Sequence, residues 1–63
     1  MYSTQLKNVK QGEFLVRKPD AKTVYVRGHY DRSSKSYSCT AFDDTSKEIF
    51  IKASKTVFVG FTF

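Results

Sequence analysis

The feature that most constrains the fold is the alternation of apolar and polar residues, which recurs along the chain with a period of two. Val, Ile, Tyr and Phe occupy most of the apolar positions, and no segment keeps apolar residues at helical spacing beyond one turn. Successive side chains of a β-strand point to opposite faces, so this pattern is typical of strands that bury one face. The sequence therefore predicts an all-β fold.

Five strands are predicted, separated by segments rich in turn-forming residues. Pro19 and Asp20 favour a turn after the first strand, and the polar residues 43–47 favour a turn between the third and fourth. The predicted strands cover residues 13–18, 23–31, 36–43, 48–52 and 56–63.

The first eight residues carry weak signals and are separated from the predicted β-barrel domain of residues 9–63. We interpret residues 1–8 as an N-terminal arm. Two arrangements stay open: a frayed arm, or one that tucks Tyr2 and Leu6 over an open end of the barrel.

The second and third predicted strands form a hairpin whose register follows from their alternation, because cross-strand neighbours share a face of the sheet. Matching the apolar faces pairs Tyr30 with Tyr37, Gly28 with Cys39, and Val26 with Ala41. Asp31 then pairs with Ser36, and residues 32–35 remain as a four-residue loop, a common hairpin length. The alternation and the loop length agree.

This register separates His29 from Cys39, the one pair that could act as a base and a nucleophile. Cys39 falls on the face toward the core, and His29 falls on the opposite face. A base activates a thiol only within hydrogen-bond reach. We therefore expect a packed cysteine and a solvent-facing histidine.

The chain ends in a second predicted hairpin, in which Lys52 pairs with Thr56 around a turn at residues 53–55. The pairing aligns Ile51 with Val57, Ile49 with Val59, and Phe50 with Phe58. Together with Val26, the four aliphatic members of these pairs form the predicted centre of the core.

The layout of residues 9–63 resembles that of SH3-like small barrels. Residues 9–14, VKQGEF, are similar to the lead-in of such barrels: a Lys-x-Gly turn, an acidic residue and the first core hydrophobe. In these barrels a 3₁₀ turn joins the last two strands, and the final strand returns to the first. The resemblance implies a single five-stranded antiparallel barrel. The chain has no Trp and lacks the adjacent aromatics of peptide-binding SH3 domains, so only the fold is carried over.

No catalytic, cofactor or metal motif is found. One His and one Cys cannot build a structural zinc site, and no glycine-rich loop is present to hold a phosphate. Asp43 and Asp44 are adjacent and would point apart in an extended chain. We expect no enzyme, no cofactor and no bound metal. A lone cysteine and the absence of a long apolar run lead us to expect a cytoplasmic protein without a membrane span.

The positive charge is concentrated in the first two thirds of the sequence. Residues 1–40 carry eight Lys or Arg against three acids, whereas residues 41–63 carry three of each, for a net charge of +5. This asymmetry favours an anionic partner. Ordinary charge for solubility is the alternative.

The predicted register also places aromatic side chains opposite the Val/Ile face, namely Tyr25, Phe42, Phe50 and Phe58. Three interpretations stay open. The rings could form a second small core, could form a protein or self-association interface, or could stack on nucleic-acid bases.

The function predicted from these features is a small non-enzymatic module that binds nucleic acid, such as an accessory protein of a bacterium, phage or mobile element. Its predicted phosphate contacts are Arg17, Lys18, Lys22, Arg27, Arg32 and Lys35, assisted by the hydroxyls of Ser33, Ser34 and Ser36, and its predicted stacking rings are Tyr25 and Phe42. The sequence does not distinguish DNA from RNA. The alternative is a protein-binding adaptor or inhibitor that uses an edge strand or the Phe50/Phe58 face, with a homodimer as one open form of it.

Overall fold

A computed structural model describes residues 1–61 and confirms the all-β prediction. In chain order the elements are β1 (Tyr2–Gln5), a 3₁₀ helix (Leu6–Asn8), β2 (Phe14–Leu15), β3 (Tyr25–Asp31), β4 (Ser36–Ala41), β5 (Asp44–Lys52) and β6 (Thr56–Val59). Each of the five predicted strands has a counterpart. The last two residues of the fifth predicted strand lie outside the described residues.

The strands form two antiparallel sheets, one of β1 and β6 and one in the order β2-β3-β4-β5. Among residues 1–61 one bridge connects them: Val16 N donates to Phe58 O at 3.0 Å, and Phe58 N donates to Val16 O at 2.9 Å. Within residues 1–61, β5 and β6 do not pair. The sheets therefore do not close into a barrel, and the predicted SH3-like five-stranded barrel is not confirmed.

The predicted C-terminal hairpin is wrong because β6 takes its partners elsewhere. β6 pairs along its length with β1, so that Thr56 lies opposite Gln5 and Val57 opposite Thr4. Its other side receives the bridge from Val16. The expected partners in β5 instead lie opposite β4: Ile51 opposite Tyr37, Phe50 opposite Ser38, and Ile49 opposite Cys39. The predicted pairs of Ile51, Ile49 and Phe50 with β6 therefore do not form.

The β3–β4 hairpin has the predicted register at its tip and a shifted one at its base. Tyr30 pairs with Tyr37 and Asp31 with Ser36, as predicted, and the two tyrosine ring centroids lie 4.9 Å apart. An irregularity between Arg27 and Tyr30 then shifts the pairing. The predicted pairs below the tip are wrong: Arg27 lies opposite Cys39, Val26 opposite Thr40, and Tyr25 opposite Ala41.

Gly28 allows the close approach of β3 and β4 at this irregularity. A Cβ atom placed on Gly28 would lie 2.8 Å from the carbonyl oxygen of Ser38. A glycine inside a strand commonly marks a β-bulge or a close backbone contact. The shift reverses the predicted faces, so that Tyr25 packs against the core while Val26 lies opposite Phe14 and Thr40.

β5 begins four residues earlier than predicted. Asp44 already pairs with Ala41, so only Phe42 and Asp43 form the turn after β4. Residues 45–48 are exposed, and β5 lies at the edge of its sheet. Polar residues suit a solvated edge strand, and for this reason their composition resembles that of a turn.

The core lies where the two sheets face each other. Its buried cluster consists of Leu6, Val9, Leu15, Cys39, Ile51 and Val57, with Tyr25, Tyr37, Ile49 and Val59 packed against it. Of the predicted centre, Ile51 and Val57 are buried and Ile49 and Val59 are half-buried, but Val26 is not part of the cluster. Leu6 from the first eight residues is fully buried.

The burial of Leu6 predicts that the N-terminal segment stabilises the whole fold. Truncation of a buried leucine removes apolar contacts and leaves a cavity, which costs about 2–5 kcal/mol. We expect Leu6→Ala to lower the free energy of unfolding by such an amount in urea denaturation, as Ile51→Ala should. The half-buried Val26→Ala is the control and should cost less. An unchanged midpoint for Leu6→Ala would contradict the position of Leu6 in the core.

Candidate nucleic-acid interface

A groove of about 390 Å³ lies between β5 and β6, where the two strands fail to pair. Its lining includes the basic residues Arg17, Lys18, Lys52 and Lys55 and the apolar residues Ile49, Phe50, Ile51 and Val57. Among residues 1–61, no Asp or Glu side chain lines it. The groove thus combines an apolar lining with four cations.

The backbone positions these cations from two segments of the chain, residues 17–18 and residues 52–55. Arg17 and Lys18 directly follow Val16, whose bridge to Phe58 holds them beside β6. Lys52 ends β5, and its Nζ donates to Ser34 O at 2.8 Å. Lys55 lies in the turn before β6, where its carbonyl oxygen accepts a hydrogen bond from Leu6 N at 3.0 Å.

A second cavity of about 250 Å³ adjoins the groove and shares Arg17 and Lys18 with it. Lys22 and the half-buried Tyr25 also line this cavity. The structure therefore brings together four of the predicted site residues, Arg17, Lys18, Lys22 and Tyr25. Tyr25 was predicted on an outer face, but it packs partly against the core.

Arg27 differs most from its predicted role as an outward phosphate contact. The bulge turns it to the face that it shares with Cys39, and its guanidinium carbon lies 3.9 Å from the centroid of the Tyr37 ring. Nη1 donates to Gly28 O at 2.9 Å, whereas Nε is buried and has no hydrogen-bond partner in residues 1–61. Arg27 is therefore engaged in a cation–π contact.

Arg32 and Lys35 lie at the exposed tip of the β3–β4 hairpin. Asp31 fixes this loop by accepting hydrogen bonds from the Ser33 and Ser34 hydroxyls and from Ser33 N, and these bonds lower the pKa of Asp31. The serine hydroxyl protons predicted to assist phosphate binding are therefore donated within the loop.

The tip packs against the turn that follows β5. Ala53 N donates to Lys35 O at 3.1 Å, and Lys7 N donates to Ala53 O at 3.0 Å. Lys35 adopts the left-handed region with φ 53° to close the loop. The tip is thus linked by a backbone hydrogen bond to the turn that lies between Lys52 and Lys55.

The predicted aromatic pairs are replaced by other contacts. Phe42 makes an edge contact with Phe14 at a centroid distance of 5.3 Å, and it shares a small cavity with Lys22 and Asp43. Phe50 is 51% exposed and meets the ring of His29 at 6.4 Å. Phe58 is half-buried and lies opposite Ser3, whereas Phe50 lies opposite Ser38, so the two residues do not pair as predicted.

The predicted phosphate contacts did not include Lys52 and Lys55, and Phe50 was only one of four rings for which a stacking role was left open. Residues 41–63 have no net charge, and this balance hid the cations of the segment. In the structure Asp43, Asp44 and Glu48 belong to the first half of β5 and its preceding turn, whereas Lys52 and Lys55 line the groove.

His29 and Cys39 are separated as predicted. His29 is exposed, and the Cys39 thiol is fully buried. Burial raises the pKa of Cys39 to about 11, although the positive charge of Arg27 and a hydrogen bond from the Gly28 backbone oppose the shift. Among residues 1–61, no group of three His, Cys, Asp or Glu side chains is arranged to hold a metal ion.

In comparisons with known proteins, no family model, curated protein or solved structure matches this chain. Within residues 1–61, no helix has the length and apolar character needed to cross a membrane.

The raised pKa of Cys39 predicts slow thiol labelling and a defined pH dependence. Below pH 9 the buried thiol should react with a disulfide reagent only after unfolding, since the thiolate is the reactive species. The unfolded thiol ionises near 9.0 and the folded one near 11, so the unfolded state loses its proton first. Stability should therefore fall as the pH rises between these values. Rapid native labelling at pH 8 would contradict the burial.

Proposed function

We propose that this chain is a small non-enzymatic module that binds nucleic acid at the groove between β5 and β6. The observation that supports the proposal is the convergence of Arg17, Lys18, Lys52 and Lys55 on one concave surface without a carboxylate among the described residues that line it. Phosphate contacts by Lys and Arg supply most of the affinity for nucleic acid.

The arrangement of these four cations differs from that of ordinary surface charge. Lysines that serve solubility are commonly interspersed with acids. Here four cations from distant segments meet across a groove, and Lys22 extends the positive surface through the adjoining cavity. A polyanion that follows this path would contact several cations at once and release a counterion at each contact.

The SH3-like layout and the cytoplasmic accessory role remain part of the proposal. Two features support the layout. Glu13 N donates to Lys10 O at 3.1 Å with Gly12 at φ 88°, which forms the expected Lys-x-Gly turn, and β6 returns to Val16 beside β2. We extend no function from this layout.

A second candidate function, protein binding, is favoured by one observation. β5 is a nine-residue strand at the edge of its sheet. An edge strand can accept an extended peptide through its backbone groups. Such a peptide would be acidic, because it would enter the same cation-lined groove.

The proposal predicts a salt dependence that is specific to the groove. Replacing Arg17 and Lys18 together with Gln should weaken binding to an oligonucleotide and should flatten the slope of log K against log salt by roughly 1.4–1.8 if both contact phosphate. Lys10→Gln with Lys47→Gln removes the same charge from exposed positions that do not line the groove. This control should leave the slope nearly unchanged.

Equal effects of the two double variants would mean that binding follows net charge alone and would contradict the groove assignment. No affinity of the native chain for single- or double-stranded DNA or RNA at low salt would overturn the nucleic-acid function. Binding of a poly-Glu peptide in that case would identify the protein-binding candidate as correct.

A further inference from the structure

We propose that the groove selects single-stranded over double-stranded nucleic acid, with one base stacked on Phe50 and the flanking phosphates held by Arg17, Lys18, Lys52 and Lys55. This inference rests on the proposed function, because it concerns the form of nucleic acid that the same groove accepts. The residues that carry it are the four cations and the ring that line one cavity.

The size of the groove suits a segment of a single strand. At about 390 Å³ it falls in the range of about 300–1,000 Å³ that is typical of pockets for small organic ligands. Such a cavity can receive a nucleotide unit. A duplex presents a convex backbone and would contact only the rim, where it could reach few of the four cations at once.

The exposed ring of Phe50 is a stacking surface that favours an unpaired base over a base pair. The side chain is 51% exposed, and Phe50 lines the same groove as the basic residues Arg17 and Lys52. In a duplex both faces of each internal base are covered by neighbouring base pairs, so a ring can stack there only at the cost of unstacking a base step, whereas an unpaired base offers its face freely. Ring stacking beside phosphate-binding cations is the arrangement used to hold single strands.

The ring of Phe50 is in contact with His29, which does not line the groove. His29 meets the ring at 6.4 Å with an interplanar angle of 81°, which is an edge contact rather than a stack. The backbone of Phe50 lies opposite Ser38 in β4, and the side chain of Ser38 is buried and donates to Glu48. The backbone that carries the ring is therefore held by its pairing with β4.

The direct test uses fluorescence from Phe50→Trp, since the chain contains no other Trp. Emission then reports on this position alone. We expect single-stranded oligonucleotides of DNA or RNA to quench the emission on binding, because the base stacks on the indole ring. A duplex of the same sequence should leave the emission nearly unchanged at equal occupancy, with occupancy measured by anisotropy of a labelled oligonucleotide.

The second test compares Phe50→Ala with Tyr2→Ala. Both rings are more than half exposed, but Tyr2 does not line the groove. Loss of one stacked base should weaken single-strand binding roughly 5- to 150-fold for Phe50→Ala, with little change in salt slope. Tyr2→Ala should retain single-strand affinity. The melting temperatures of both variants establish that they are folded.

The outcomes separate this inference from the proposed function. Equal affinity for single strand and duplex, with no quenching in Phe50→Trp, would overturn the single-strand inference while nucleic-acid binding stands. Absence of binding to either form would overturn the proposed function itself. A loss of affinity in Tyr2→Ala as large as that in Phe50→Ala would contradict the assignment of the stacking site to Phe50.

Discussion

The arrangement of the chain depends on which partners the backbone of β6 takes. β1 pairs along one side of β6, and Val16 bridges Phe58 on the other. The backbone N–H and C=O of Phe58 are thereby bonded on that side, and among residues 1–61 β6 forms no ladder with β5. The groove between β5 and β6 therefore stays open, and the cations of the adjoining segments line it. The first eight residues thus help to create the proposed site, although they do not line it.

The sequence predicted the parts of the fold that depend on local pattern. The tip of the β3–β4 hairpin follows from alternation and loop length, and both act over a few residues. The shift at Gly28 had a signal in the sequence, because a glycine within a strand commonly marks a bulge. The pairing of β1 with β6 had no such signal, since it joins the two ends of the chain. Leu6 was therefore considered as a cover for the barrel rather than as part of the core.

The site was harder to predict than the fold because its residues come from distant segments. The basic residues Arg17, Lys18 and Lys22 were identified, since they are close in sequence. Lys52 and Lys55 join them only through the path of β6. Arg27 was assigned to the wrong face of the sheet. The bulge that follows Arg27 reverses the face of each side chain from Tyr25 to Arg27 relative to the hairpin tip. A charge count over a segment thus cannot reveal which side chains meet.

The most direct test of the groove as the binding site is an NMR titration. The isotope-labelled protein is titrated with a short single-stranded oligonucleotide, and amide spectra are recorded at each step. We expect the largest shift changes at residues 17–18, 49–52 and 55–57, which line the groove. Residues 44–47 in the first half of β5 should change little, although they belong to the same strand. Changes centred on residues 32–35 or on β1, with the groove unaffected, would contradict the account.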